Sequence, residues 1–314
     1  MKNKIIKFSI AASIPFLLSS TTMAADNSGE MSLAQAAKKS ANPVSDAWML
    51  VAQNDYTTLK TRGGGHEMQN RFSFQPVMPV PIMDGEWNLV NRMVLQQYSS
   101  PGQGVAEDST PSDIFADGRT NGLGDTVFMS LAAPNRDDGW IWGVGPTMIA
   151  PTATEDNLGQ EKWQVGPAAL VARLGSESGD ITSIDSWNLG ILAQQWWSFA
   201  GTSNRKDTSQ SDIQYFINYK VNDTGLIGMT PNISIDWKKH GKDRFNVPVG
   251  LGYIGMARIG QMPVRWGVEA QYYVMRSDTD DMTDLESWDA DSIAYTPQFN
   301  LKVFVAPIAK NPFK

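Results

Sequence analysis

The sequence predicts an all-β chain: a transmembrane, antiparallel, up-and-down β-barrel of twelve strands, with a short N-terminal helical lead-in or plug. Three observations predict it. From Gln53 onward, apolar and polar residues alternate with period two. Most of these stretches exceed the roughly 9–11 residues that a tilted spanning strand needs. The links between them tend to sort, short on one side and longer on the other. Finally, three turns lead through an Asp into a Trp at the start of the next strand: Asp84-Gly85-Glu86-Trp87, Asp138-Gly139-Trp140 and Asp185-Ser186-Trp187. Asp-Gly tolerates the positive φ of tight hairpins, and a Trp at a strand mouth suits a membrane–water boundary.

Residues 1–24 read as a signal peptide. Lys2, Lys4 and Lys7 precede an apolar stretch around Ile10 to Leu18, and Ala24 and Ala25 follow. That stretch is shorter than the about 20 residues of a spanning helix, so an exported chain is expected. Residues 25–50 form an N-terminal periplasmic or lumen segment. In it Met31, Leu33, Ala34, Ala36 and Ala37 make a weak helical stripe that ends at Asn42-Pro43. Residues 51–314 make the barrel.

The twelve strands are expected at 52–62, 66–82, 85–99, 122–135, 139–154, 162–175, 186–200, 212–223, 225–241, 243–260, 262–277 and 293–308. An even number is what a single-chain bacterial barrel requires. Short links follow strands two, four, eight and ten, and longer ones follow three, seven and eleven. The link after strand six is the longest on the short side, and those after one, five and nine are not long, so the sorting is imperfect. Within strand seven, Trp187, Leu189, Ile191, Ala193 and Trp197 share one face, while Asn188, Gly190, Gln194 and Ser198 share the other. Leu192, Gln195 and Trp196 break this pattern.

With apolar faces toward lipid, the inward face supplies the lumen-lining candidates: Asn88, Arg92, Gln96, Gln194, Gln214, Asn218, Lys220, Asp236, Lys238, Arg265, Glu269, Gln271, Asn300 and Lys302. Their charges are of both signs. They fit a self-neutralising structural network as well as a pore lining, and a pore selective for one sign of ion would favour one sign of charge. An interface aromatic girdle is expected from Trp87, Trp140, Trp187, Trp197, Trp237 and Trp266.

Other chemistry is poorly represented. The chain has no Cys, which excludes disulfides and thiolate metal sites, and its formal charge of −7 argues against nucleic acid as a partner. Acidic residues gather at 107–117 and 278–291; the second stretch lacks the spacing of a calcium loop and reads as a solvated loop. Gly250-Leu251-Gly252-Tyr253-Ile254-Gly255 matches a dinucleotide fingerprint in letters only, because it falls inside a strand instead of opening a helix. The two histidines, His66 and His240, fall at loop tips without a recognisable nucleophile setting. No catalytic residue, metal site or cofactor is expected.

Several stretches resemble an outer-membrane family named for the meta-pathway of phenol degradation, whose members often carry the labels "transporter" or, misleadingly, "neuromedin U". The resemblance rests on Gly139-Trp140-Ile141-Trp142-Gly143-Val144-Gly145-Pro146, Pro151-Thr152-Ala153-Thr154 and Gly166-Pro167-Ala168-Ala169. It continues in Trp197-Ser198-Phe199-Ala200-Gly201, Val247-Pro248-Val249-Gly250-Leu251-Gly252 and Gln271-Tyr272-Tyr273, with Asn42-Pro43-Val44 and Phe74-Gln75-Pro76-Val77 upstream. It implies an outer-membrane barrel with a transport role, no established catalytic residues and no fixed substrate. One departure is that Phe313 is penultimate, whereas such barrels commonly end on an aromatic residue.

The function expected is therefore a passive outer-membrane channel or transporter for small solutes, hydrophobic or aromatic ones among them. Its partners would be outer-membrane lipid and the barrel-assembly machinery. Three alternatives stand beside it: a structural or adhesive barrel acting through its acidic external loops, a barrel hydrolase using His240, and a soluble periplasmic β-protein.

Overall fold

The computed structural model describes residues 31–61, 65–101, 119–136, 139–277 and 295–313. The two acidic stretches and Asp138 lie outside them. The described residues form one α-helix, α1 (Leu33–Ala41), and fourteen strand segments. These are β1 (Trp48–Thr61), β2 (His66–Ile82), β3 (Trp87–Pro101), β4 (Arg119–Leu123), β5 (Thr126–Pro134), β6 (Trp140–Ala150) and β7 (Lys162–Arg173). They continue with β8 (Trp187–Gly201), β9 (Ser209–Asn222), β10 (Gly225–Met229), β11 (Asn232–Asp236), β12 (Phe245–Ile259), β13 (Met262–Met275) and β14 (Tyr295–Ala309).

Fourteen segments make twelve staves. β4 and β5 both pair with β3 and are one stave interrupted at Gly124-Asp125. β10 and β11 both lie between β9 and β12, in one continuous register, and are one stave interrupted at Thr230-Pro231. Every pairing is antiparallel between sequence neighbours, and β1 pairs with β14 to close the barrel. Closure leaves no unpaired edge, which is what lets a sheet sit in hydrocarbon. Among the described residues no helix is long and apolar enough to cross a membrane.

All twelve staves fall where the alternation predicts them, with corrected ends. β1 begins at Trp48, four residues earlier than expected. β6 stops at Ala150, because Pro151 lacks the ladder donor and the chain turns back, with Thr154 N–H donating to the Leu123 carbonyl at 3.1 Å. The stave of β11 stops at Asp236, not 241, and Trp237 to His240 form a turn. The links after β6 and β11 are therefore 151–161 and 237–244, so the sorting of long and short links is cleaner than the sequence suggests. At the short-link end, Asp84 and Gly85 take φ of 55° and 88°, and Gly139 takes 80°. The third Asp works differently: Asp185 sits in the 3-10 turn Ile184–Ser186 and pairs with Arg173.

Helix α1 starts with a capping box between Ser32 and Gln35, carries Lys38 and Lys39 in its last turn, and ends at Asn42. It lies inside the barrel at the short-link end. Its fully buried Ala36 packs with Ala47, Met49 and Ile308. Arg265 on β13 donates to the Ser40 carbonyl, and the Arg258 guanidinium donates to the Met31 carbonyl at 2.6 Å. The segment after the helix goes deeper. Val44, 3 % exposed, joins a cluster with Val90, Met129, Leu131, Ile141 and Leu170.

Candidate functional site

Register sorts every stave into a face toward lipid and a face toward the lumen, and the lumen face is graded along the barrel axis. Below its middle it carries an apolar layer: Val90 on β3, Leu131 on β5, Leu170 on β7, Leu192 on β8, Phe216 on β9, Ile254 on β12 and Phe304 on β14, with Asn188, Asn218 and Arg265 lining it nearer the short-link end. Toward the long-link end it turns polar on the same staves: Gln96, Gln164, Gln194, Asp212, Gln214 and Asn300. The lumen cavity measures about 700 Å³, and Ser40, Ala41 and Pro43 contribute its floor. Apolar walls with a few convergent polar groups are what a small-molecule site needs.

Arg92, Gln96, Gln194, Gln214, Asn218, Asp236, Arg265 and Lys302 all reach this cavity. The other lumen-lining candidates lie elsewhere. Asn88 is wholly buried beneath the floor, where it donates to the Val44 carbonyl at 3.1 Å. Lys220 donates to the Gly175 carbonyl at the short-link rim. Lys238 is exposed beyond the end of β11, in the turn where its N–H bonds Asp236. Glu269, Gln271 and Asn300 are buried in a side-chain chain along the wall.

That chain joins four staves, β2, β1, β14 and β13. Arg71 pairs with Asp55 at 2.9 Å, and Asn300 donates to Asp55 at 3.0 Å and to Gln271 at 3.1 Å. Gln271 donates to Glu269 at 2.8 Å, and Glu269 pairs with Lys302 at 3.5 Å. Two positive and two negative groups cancel, so these side chains act first as a wall network and satisfy one another's buried polar atoms.

At its end the network takes over the work of the backbone ladder. Pairing between the β10/β11 stave and β12 lapses between Gly228↔Gly252 and Ser234↔Asn246. Pro231 and Pro248, which cannot donate, lie in the lapse. Thr230 N–H instead donates to both Glu269 oxygens at 3.0 Å, its hydroxyl donates at 2.7 Å, and Lys302 Nζ donates to the Thr230 carbonyl at 2.5 Å. On the outer face Tyr215 Oη bridges to the Pro248 carbonyl at 2.7 Å. The Gly-rich run of β12 has its explanation here. A Cβ on Gly250 would stand 2.9 Å from Glu269 Oε1, and one on Gly252 2.8 Å from Glu269 Cα. Glycine clears the way for Glu269 to cross β12.

Sequence reasoning missed Leu192 and Trp196 as inward residues. They break the alternation because the lumen is apolar at their height: Leu192 joins the apolar cluster, and the Trp196 indole donates to Thr147 Oγ1 at 3.1 Å. Their neighbour Gln195 faces outward, where it accepts from Ser211 and from the Trp237 indole. It also missed Arg71 and Asp55, which are marked only by their parity on β1 and β2.

The six Trp residues singled out by sequence fall in two bands. Trp87, Trp140, Trp187 and Trp266 lie toward the short-link end, joined by Trp48 and Trp142. Trp197 and Trp237 lie toward the other end with Trp163. Trp87 meets Trp142 edge-on at 5.7 Å, and Trp140 is 57 % exposed. His240 is exposed at the start of the 3-10 turn Gly241–Arg244. Beyond the staves, Glu161 joins two long links: Arg205 Nε donates to it at 2.9 Å, and bonds from Thr202 and Arg205 hold its carboxyl below the ordinary range.

No protein-family model matches this sequence, and no curated protein does. The fold is shared with a solved outer-membrane channel from Pseudomonas putida F1, with a TM-score of 0.57 at 15 % identity, covering 84 % of this chain and 95 % of that one. The Pseudomonas putida toluene transporter TodX aligns over 88 % of this chain and 93 % of its own, at 8 % identity and a TM-score of 0.40. Outer membrane phospholipase A from Escherichia coli aligns over 84 % and 92 %, at 11 % identity and 0.38. The last two overlap too loosely to bear on function.

Proposed function

We propose that this chain is a passive outer-membrane channel for small solutes that combine an apolar body with a polar group, aromatic compounds among them. The observation that carries the proposal is the graded lumen. A polar mouth at the long-link end admits a hydrated solute, and the apolar layer below, formed around Leu131, Leu170, Leu192 and Phe216, receives its body. The fold likeness to an outer-membrane channel supports the location, as do the signal-like N-terminus and the two Trp bands. The likeness of its motifs to the phenol meta-pathway family supports a transport role and leaves the substrate open. In this reading no cofactor and no catalytic step is needed. Outer-membrane lipid and the machinery that inserts barrels are the chain's partners, and Arg92, Gln96, Gln194 and Gln214 are polar groups that line the solute's path.

Uptake tests it. In a Gram-negative host stripped of its general porins, expression of this chain is expected to speed entry of radiolabelled phenol or benzoate severalfold. Entry at the rate of the empty-vector host, with the folded barrel present in the outer membrane, would contradict the proposal.

A further inference from the structure

Arg92 is a lumen cation on the staves that the wall network leaves out; Lys239 and Arg244, which also line the cavity, lie at its long-link rim. Arg71 is matched by Asp55, Lys302 by Glu269, and Arg265 is spent on the helix carbonyl of Ser40. Arg92 donates from Nη2 to the neutral amide oxygen of Gln75 at 2.6 Å, and among the described residues no carboxylate stands within ion-pair distance. Asp212 lines the cavity five staves away and is held by Asn232 at 2.8 Å.

The surroundings of Arg92 are apolar on every side that register defines. Val77 is its neighbour on β2 and Met129 on β5; Val90 and Val94 lie below and above it on β3. Val90 and Met129 are buried, and they continue into the apolar layer. A guanidinium presents five N–H donors in a planar fork that matches a carboxylate two-to-two. One that rises from a hydrophobic wall with no carboxylate in contact, and only the charge of Asp212 reaching it across the lumen, gains most from a ligand that brings an anion to the fork.

We infer that Arg92 is the anchor of a binding site for small monocarboxylates with an apolar body, of the size of benzoate or hexanoate. The carboxylate takes the fork of Arg92 beside Gln75, and the ring or chain lies on Val90, Met129 and the layer beneath. The inference rests on the channel reading and narrows it, giving that channel a preference for organic acids over their neutral counterparts.

Calorimetric titration of the purified full chain in non-ionic detergent tests it, with benzoate and its neutral analogue benzamide as probes. Arg92→Gln is expected to weaken benzoate binding about tenfold or more and benzamide binding far less, because only benzoate loses a charge-assisted pair. Arg92→Lys, which keeps the charge but not the fork, is expected to fall between. Three results would overturn the inference: no benzoate binding by the wild type, equal binding by Arg92→Gln, or equal losses for both probes. Heat-modifiable gel mobility confirms that each variant is a folded barrel. The channel reading fails separately, when the wild type binds benzoate through Arg92 but transports nothing.

Discussion

Glu269→Ala is expected to lower the unfolding free energy of the barrel by about 3–5 kcal/mol, the cost of leaving one member of a buried ion pair alone. Glu269 and Lys302 are each only 6 % exposed, so solvent cannot take over the lost partner. The change also frees Thr230 N–H in a wall where β12 does not pair with it, and it removes the acceptor of Gln271. The double variant Glu269→Gln/Lys302→Met removes both charges and is expected to recover most of the loss. Tyr215→Phe cuts only the outer bridge and is expected to cost about 1 kcal/mol. Urea unfolding in lipid vesicles measures all three. A Glu269→Ala change within about 0.5 kcal/mol of wild type, the range of ordinary surface substitutions, would show that the lapse in the ladder is held by something else.

Removal of residues 31–46 is expected to raise ion conductance severalfold and to shift selectivity toward anions. The helix and the following turn form the floor of the cavity, and Val44 fills the centre of the apolar layer. Without them, Arg265 loses the Ser40 carbonyl and stands bare at the short-link end, where an uncompensated positive charge favours anions. Reversal potentials in a salt gradient read the selectivity directly. Unchanged conductance and selectivity would place the constriction elsewhere.

Much of this architecture is legible in the sequence, because a membrane barrel writes its register into period-two alternation. Runs such as Val264-Arg265-Trp266-Gly267-Val268-Glu269 sort unambiguously, since lipid demands apolar side chains at every other position. Strand ends were harder to read. Alternation continues past Ala150 and past Asp236 into residues that the structure bends into loops, and only the missing donor of Pro151 marks the first of these stops. The lumen is the part that alternation misreads. A polar-inside rule fails at Leu192 and Trp196, since the lower lumen is packed like a small core around Val44. That core is built by a segment distant in sequence, and the weak helical stripe of residues 31–37 gives no sign of where it docks. The partners of Glu269 are illegible for the same reason: the ion pair and its bridge to Thr230 exist only once three staves are aligned.

Single-channel recording in planar bilayers tests the central claim most directly. The folded wild-type barrel is expected to give discrete conductance steps that benzoate, added on the side of the long links, blocks in a concentration-dependent way. A folded barrel that inserts into the bilayer yet passes no current, with or without residues 31–46, would contradict the claim that this lumen is a passage.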